Sequence, residues 1–237
     1  MKIAVVVPNV TMPDEALAER HAFLQRISRP DTEIHVVRND SGPESIESEF
    51  EREWASVHIL EHMLRLAPQG FDAFIPWCAN DPAVIPGRER LDVPVVGPFQ
   101  SACLYAAGLG FRFSTLSPRS NPRLTRQRVA ALGLKALLAS TREIDRTVPE
   151  LRADLDATCR LLSAEIAEAA HRDGADAVVL GCMALFGITE RLETPVPVVD
   201  PARAAIAMAE TLVAMGLTHA GRAYTYPGRT APPLPVV

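Results

Sequence analysis

Short, wholly apolar runs alternate along this chain with longer amphipathic ones. Lys2–Val7 (KIAVVV) is apolar at nearly every position, the pattern of a parallel strand covered on both faces. Asp14–Ile27 follows with helical spacing, and Glu33–Val37 reads as a second strand. Glu47–Ala67 predicts a long helix with Phe50, Trp54, Val57, Leu60 and Leu64 as its apolar stripe. Strands are predicted over Phe71–Trp77 and Val93–Val96. The alternation then restarts with a helix over 99–107, a strand over 111–116, a helix near 125–132 and a strand over 134–139. A helix over 151–171, strands over 177–180 and 196–199, and a helix over 202–215 complete it. This order predicts an α/β fold, with parallel sheets flanked by helices.

Within the alternation lies an internal repeat. Gly70-Phe71-Asp72-Ala73-Phe74-Ile75-Pro76-Trp77-Cys78 matches Gly174-Ala175-Asp176-Ala177-Val178-Val179-Leu180-Gly181-Cys182, both reading G-x-D-A-x-x-x-x-C. Downstream, Val93-Pro94-Val95-Val96-Gly97-Pro98 matches Val196-Pro197-Val198-Val199-Asp200-Pro201. A repeat of this length predicts two similar lobes. Each lobe then carries a cysteine just beyond the carboxyl end of a strand, where open α/β sheets place their ligands. With the lobes related by a pseudo-two-fold axis, the two thiols would meet in the cleft between them. The expected boundaries are 1–97 plus 200–220 for the first lobe and 98–199 for the second. Residues 221–237, rich in Pro and Gly, are expected to form an extended tail.

Composition narrows the function. The 237 residues carry a formal net charge of −5, and no Lys/Arg run is present to neutralise phosphates, so neither nucleic acid nor a membrane surface is an expected partner. The apolar stretch Ile3–Val7 is too short for a signal segment, and no run reaches the roughly 20 apolar residues of a membrane span, so a cytoplasmic location is expected. The four cysteines are Cys78, Cys103, Cys159 and Cys182, with no CxxC pair, and in a cytosolic chain free thiols are the default.

Two facing thiols suit racemisation or epimerisation at a carbon next to a carbonyl, in a hydantoin, an amino acid or a related small carboxylate. One group removes a proton from one face of that carbon, and the other delivers a proton to the opposite face. A thiol with a pKa of about 8.5, lowered by its surroundings, can serve as thiolate while its partner stays protonated. Cys78 and Cys182 are therefore the candidate catalytic residues. A lone cysteine at a strand end is more often core filling; two at matching repeat positions are hard to ascribe to chance. Asp81-Pro82 reads as an N-cap with Pro at the first helical position, which would aim a short helix, ended by Pro86-Gly87, at the thiolate or at a substrate anion. Candidate substrate-binding groups are the strand-end polar residues Asn9, Thr11, Ser41, Asn80, Thr115 and Ser117, with Ala79, Gly181 and Met183 flanking the cysteines.

These residues resemble a known family. Pro8-Asn9, Ser41-Gly42-Pro43 with Ser45-Ile46-Glu47-Ser48, Cys78-Ala79-Asn80-Asp81-Pro82, Pro94-Val95-Val96-Gly97 and Leu180-Gly181-Cys182 resemble, in order, the hydantoin-racemase branch of the aspartate/glutamate racemase superfamily. The resemblance implies two Rossmann-like lobes, catalysis by both cysteines, no cofactor, no metal, a small-molecule substrate and homo-oligomers. Met183-Ala184-Leu185-Phe186 after Cys182 and Trp77 before Cys78 depart from the family pattern and bear on the shape of the pocket.

Other signals weigh less. His58-Ile59-Leu60-Glu61-His62 fits the HxxEH pattern of some zinc peptidases, but no third ligand can be placed, so no metal is expected. Cys159 falls in a helical stripe with Leu151, Leu155, Leu162 and Ile166, and Cys103 in an Ala-rich helix; both read as core. The arginines 119, 123, 126 and 128 read as a solvated loop and helix start, with a subunit contact as the alternative. Alternatives to a racemase are a cis–trans isomerase of maleate type and a decarboxylase of arylmalonate type, the latter needing only one proton-donating cysteine. Outside enzymes, a two-lobed small-molecule binding protein would have little use for paired thiols.

Overall fold

The computed structural model describes residues 1–224. The chain divides into two compact units, one comprising 1–77, 81–97 and 206 onward, the other 78–80 and 98–205. Each is built on a parallel sheet.

The first unit opens with β1 (Lys2–Val7), in which Ile3 through Val7 are all buried. The helix α1 (Asp14–Ile27) leads to β2 (Glu33–Arg38), and α2 (Glu49–Leu66) leads to β3 (Ala73–Pro76). The sheet order is β2-β1-β3, all parallel. Ser48 caps α2: its hydroxyl accepts from the Glu51 N–H while the Glu51 carboxylate accepts from the Ser48 N–H. The helix buries Ala55, Ile59, Met63 and Leu66, whereas Phe50 is 76% and Trp54 46% exposed. The apolar stripe expected from the sequence is thus not the face that packs. Alanine at 55 lets the backbone approach its neighbours, and the bulkier Phe50 and Trp54 meet each other instead, rings tilted by 47° with centroids 6.2 Å apart.

The second unit holds α4 (Pro98–Ala107), β4 (Phe113–Ser117), α5 (Pro122–Ala131), β5 (Leu138–Glu143), α6 (Glu150–Ala153), α7 (Leu155–His171), β6 (Ala177–Leu180) and β7 (Val198–Val199). The short α3 (Val84–Arg90) precedes it in the chain, and α8 (Pro201–Ala214) and α9 (Gly221–Tyr224) follow. The sheet order is β5-β4-β6-β7, again parallel. Leu162, Ile166 and Ala169 of α7 share one buried cluster with Leu116, Val178 and Leu180 of the sheet.

Several boundaries differ from the sequence pattern. Val93–Val96 makes one parallel bridge, Phe74 to Val95, and no strand: Pro94 has no N–H to extend the ladder. Asp154 leaves the helical conformation to accept the Ala157 N–H, splitting the expected single helix into α6 and α7. A 3-10 turn occupies Lys135–Leu137, so β5 starts later than expected. Gly221–Tyr224 is one helical turn, and the remainder of the expected tail, 225–237, lies outside the described residues.

The repeat is explicable residue by residue. Gly70 and Gly174 both have positive φ, 74° and 71°, turning the chain out of the preceding helix. The Asp72 carboxylate accepts the Lys2 N–H at 2.7 Å, and the Asp72 N–H donates to Lys2 O at 2.8 Å. Asp176 does the same with Arg112, accepting at 2.9 Å and donating at 2.8 Å, and also accepts the Phe111 N–H. Each aspartate therefore closes the first rung between two parallel strands. The other rungs correspond as well: Phe74 N–H to Pro94 O matches Val178 N–H to Pro197 O, and Trp77 N–H to Val6 O matches Gly181 N–H to Leu116 O.

Asp72→Ala should cost about 1–2 kcal/mol in urea unfolding, the scale of a charge-assisted bond to an otherwise unpaired N–H, with Asp72→Asn milder. Ile59→Ala should cost about 2–5 kcal/mol, while Phe50→Ser should stay within about 0.5 kcal/mol. The reverse order in a denaturant titration would show that α2 packs by the other face.

Candidate active site

The last sheet bond of β3 is the Trp77 N–H to Val6 O, so Cys78 is the first residue released from the ladder. It is a free, half-buried thiol. Residues 78–80 pack with the second unit, although the strand that delivers them belongs to the first. The Asn80 N–H lies 3.4 Å from Cys78 Sγ and points its donor at the sulfur. The side chain of Asn80 is held in turn: its Oδ1 accepts from Arg128 Nη1 on α5 at 2.8 Å.

Asp81 does not take up its expected capping role. Its φ is 50°, and Ala83, at φ 59°, occupies the N-cap position of α3 with no side-chain cap. Pro86 sits in the first turn of that helix, where its missing N–H has no intrahelical partner to lose, so α3 runs through Pro86-Gly87 to Arg90. The Asp81 carboxylate instead packs on Gly97, the residue before α4, where a β-carbon would come within 2.8 Å of its Cγ.

In the second repeat the last sheet bond is Gly181 N–H to Leu116 O, and Cys182 follows as a free thiol, 9% exposed. It belongs to the same unit as Cys78. Leu116, Leu180 and Leu185 share its buried cluster, and Met183 and Phe186 are buried beside it. Arg152 lies 4.3 Å over the Phe186 ring and donates to Ala184 O, pinning the turn after Cys182. Asp200 ties that turn down from the other side. Its carboxylate accepts the N–H groups of Gly187 and Ala202, both at 2.8 Å. Burial pushes the Asp200 carboxyl above the usual range, and the two N–H donors oppose that shift.

Ser117 stands against the second cysteine's strand. A β-carbon at Gly181 would fall 2.0 Å from Ser117 Oγ, so only glycine leaves the hydroxyl its place. Thr115, two residues earlier on the same face of β4, is buried, and among the described residues its Oγ1 has no hydrogen-bond partner; the same holds for Thr141 Oγ1, its register neighbour on β5. Of the expected substrate-binding positions, Ala79, Asn80, Thr115, Ser117, Gly181 and Met183 lie in the unit that holds both cysteines, whereas Asn9, Thr11 and Ser41 lie in the other. Thr11 and Ser41 are exposed, and the Asn9 amide donates to Glu44 O at 2.6 Å, joining two loops of the first unit.

The remaining candidates have structural employment. His58 Nδ1 lies 3.3 Å from Glu61, and His62 Nδ1 lies 3.3 Å from Asn39 Oδ1; burial, then the Arg65 charge, lowers the His62 pKa. Among the described residues, no group of three His, Cys, Asp or Glu is arranged to hold a metal ion. Cys103 is fully buried on α4, and burial pushes the Cys159 thiol up, away from the thiolate.

Sequence reasoning misses Arg128 and Asp200. Nothing in the sequence pairs Arg128 with Asn80, because the contact needs α5 to be placed. Asp200 is visible as the substitution for Gly97 in the repeated V-P-V-V-x-P.

Two parallel-sheet units and a duplicated strand end, each copy followed by a cysteine, define a class of internally duplicated α/β proteins. The chain belongs to the Asp/Glu/hydantoin racemase family, whose family model matches residues 8–209. It is 34% identical over 232 residues to a hydantoin racemase of Pseudomonas sp. (strain NS671), covering 96% of this chain and 92% of that one. It is similar to the crystal structure of an allantoin racemase from Pseudomonas fluorescens, with a TM-score of 0.88 and 30% identity over 98% of this chain and 100% of that one. The maleate isomerase of Pseudomonas putida S16 shares the fold at a TM-score of 0.64 and 18% identity, covering 92% of this chain and 93% of that one.

Gly181→Ala should cost about 1–3 kcal/mol by forcing Ser117 aside, and adding Ser117→Ala should recover most of it. Additive losses in the double variant, measured by chemical denaturation, would remove the steric link between the two residues.

Proposed function

We propose that the chain is a cofactor-independent racemase of a five-membered cyclic ureide of the hydantoin class, with Cys78 and Cys182 as its two proton-transfer groups. The observation that carries this reading is the duplicated strand end: the same rungs of the ladder release a free cysteine in each repeat, and both cysteines belong to one compact unit. Family membership supports the reaction type. The names of its relatives support the substrate, since allantoin is itself a hydantoin carrying a ureido group on the ring carbon.

In the proposed reaction one thiolate takes the hydrogen from the ring carbon next to the carbonyl. The electron pair left behind delocalises onto that carbonyl oxygen. The opposite thiol then delivers its proton to the other face and becomes the thiolate of the next turnover. Ser117 and Thr115 are proposed to donate to the oxygen as charge develops there, and Ala79, Asn80, Gly181 and Met183 to line the ring. Asn9, Thr11 and Ser41 are proposed as further contacts to the polar edge of the substrate. A decarboxylase of arylmalonate type would need only one of the two cysteines.

Cys78→Ser or Cys182→Ser should each lower racemisation by about 10²–10⁴-fold, the scale of losing a positioned acid or base. In deuterated water, NMR of single enantiomers should still show exchange of the ring hydrogen from one hand only, by the cysteine that remains. Full racemisation by the Cys78→Ser/Cys182→Ser double variant would sink the two-base reading.

A further inference from the structure

Cys78 ends in a short chain of donors. The Asn80 N–H faces its sulfur at 3.4 Å, and Arg128 holds the Asn80 side chain at 2.8 Å from across the loop. Arg128 is part-buried on α5, and α5 is fixed by an Asn121 side-chain cap with Pro122 as its first residue. The guanidinium thus has a rigid base and reaches a residue two positions from the thiol. Asp81, next in the chain, packs its carboxylate on Gly97.

We propose that Arg128 is a positioning residue for Cys78: through Asn80 it holds the Asn80 N–H on the sulfur, and its charge favours the thiolate there. The inference rests on Cys78 being one of the two bases. Two physical effects act in the same direction. A thiolate accepts a stronger hydrogen bond than a thiol, so an N–H fixed on the sulfur favours ionisation. A nearby guanidinium, charged at every relevant pH, lowers the pKa of a thiol further. Neither effect needs the substrate, so both are present in the resting protein. The bond from Arg128 also braces a loop whose next residues, Asp81 and Ala83, adopt positive φ without being glycine.

The test is the rate at which iodoacetamide labels each cysteine of the full chain, read peptide by peptide across pH. In Arg128→Met the labelling midpoint of Cys78 should rise by about one pH unit, which is about a tenfold slower reaction at neutral pH. Arg128→Lys, which keeps the charge, should recover part of that shift, and kcat for racemisation should fall with the labelling rate while KM changes little. Cys182 labelling in the same molecules reports the integrity of the fold and should be unchanged. A Cys78 midpoint that stays put in Arg128→Met, or a Cys182 rate that moves as much as the Cys78 rate, overturns the assignment. An unmoved midpoint with both cysteine variants inactive removes Arg128 alone. A moved midpoint with an active double cysteine variant removes the racemase reading alone.

Discussion

Everything downstream in this fold depends on where two parallel strands are forced to begin. Asp72 and Asp176 each accept an N–H from the neighbouring strand and return their own N–H to its carbonyl, so the first rung of β1–β3 and of β4–β6 is locked from both sides. From that rung a fixed number of residues leads to a cysteine, and a parallel ladder allows no slip without exposing a wholly buried strand. The glycine two residues before each aspartate supplies the left-handed turn that lets a helix end so close to the strand. Position in the sequence thus becomes position in space, twice.

The loop after each cysteine is held by an aspartate carboxylate, but the two repeats supply it from opposite ends. In the first, Asp81 in the cysteine loop packs on Gly97, next to the head of α4. In the second, Asp200, next to the head of α8, reaches back to Gly187 in the cysteine turn. One partner is an aspartate and the other a glycine in both cases, exchanged between loop and helix start. The exchange anchors each loop to the start of a later helix and leaves the two loops free to differ in shape. The first loop is held at the expense of positive φ at Asp81 and Ala83, and the second at the expense of a buried carboxyl.

The strands and the cysteine positions are legible in the sequence because their signals are local. A run such as KIAVVV between polar segments admits one reading, and β1 and α1 match their expected limits residue for residue. The face of α2 is not legible, because a stripe weighted by side-chain size selects Phe50 and Trp54. Packing against a sheet instead rewards the small Ala55 in line with Ile59 and Met63. The limits of β5 shift for a related reason. It is an edge strand carrying Arg142 and Glu143, and the Arg142 charge is met by Asp173 at 2.6 Å and Glu165 at 2.7 Å. An edge strand with paired charges carries little of the apolar signal from which a strand is read. Arg128 is opaque for a different reason: a charged residue in an arginine-rich helix looks solvated until the fold supplies its partner.

The two thiols stand in unlike surroundings, and for a racemase that asymmetry has a thermodynamic limit. Cys78 is half-buried beside an N–H donor and a guanidinium-held amide, while Cys182 sits 9% exposed among leucines and Met183. Under the two-base proposal, these two surroundings would act differently on the two thiols. Mirror-image substrates have equal free energies in water, so kcat/KM must be the same for both hands whatever the enzyme does. Any difference between the two hands therefore leaves kcat/KM untouched and is confined to matched changes in kcat and KM. The duplicated strands put equivalent atoms at each cysteine, and the loops beyond them make the two environments unequal. In the proposed two-cysteine mechanism that inequality would be tolerable, because each turnover would convert one form of the pair into the other.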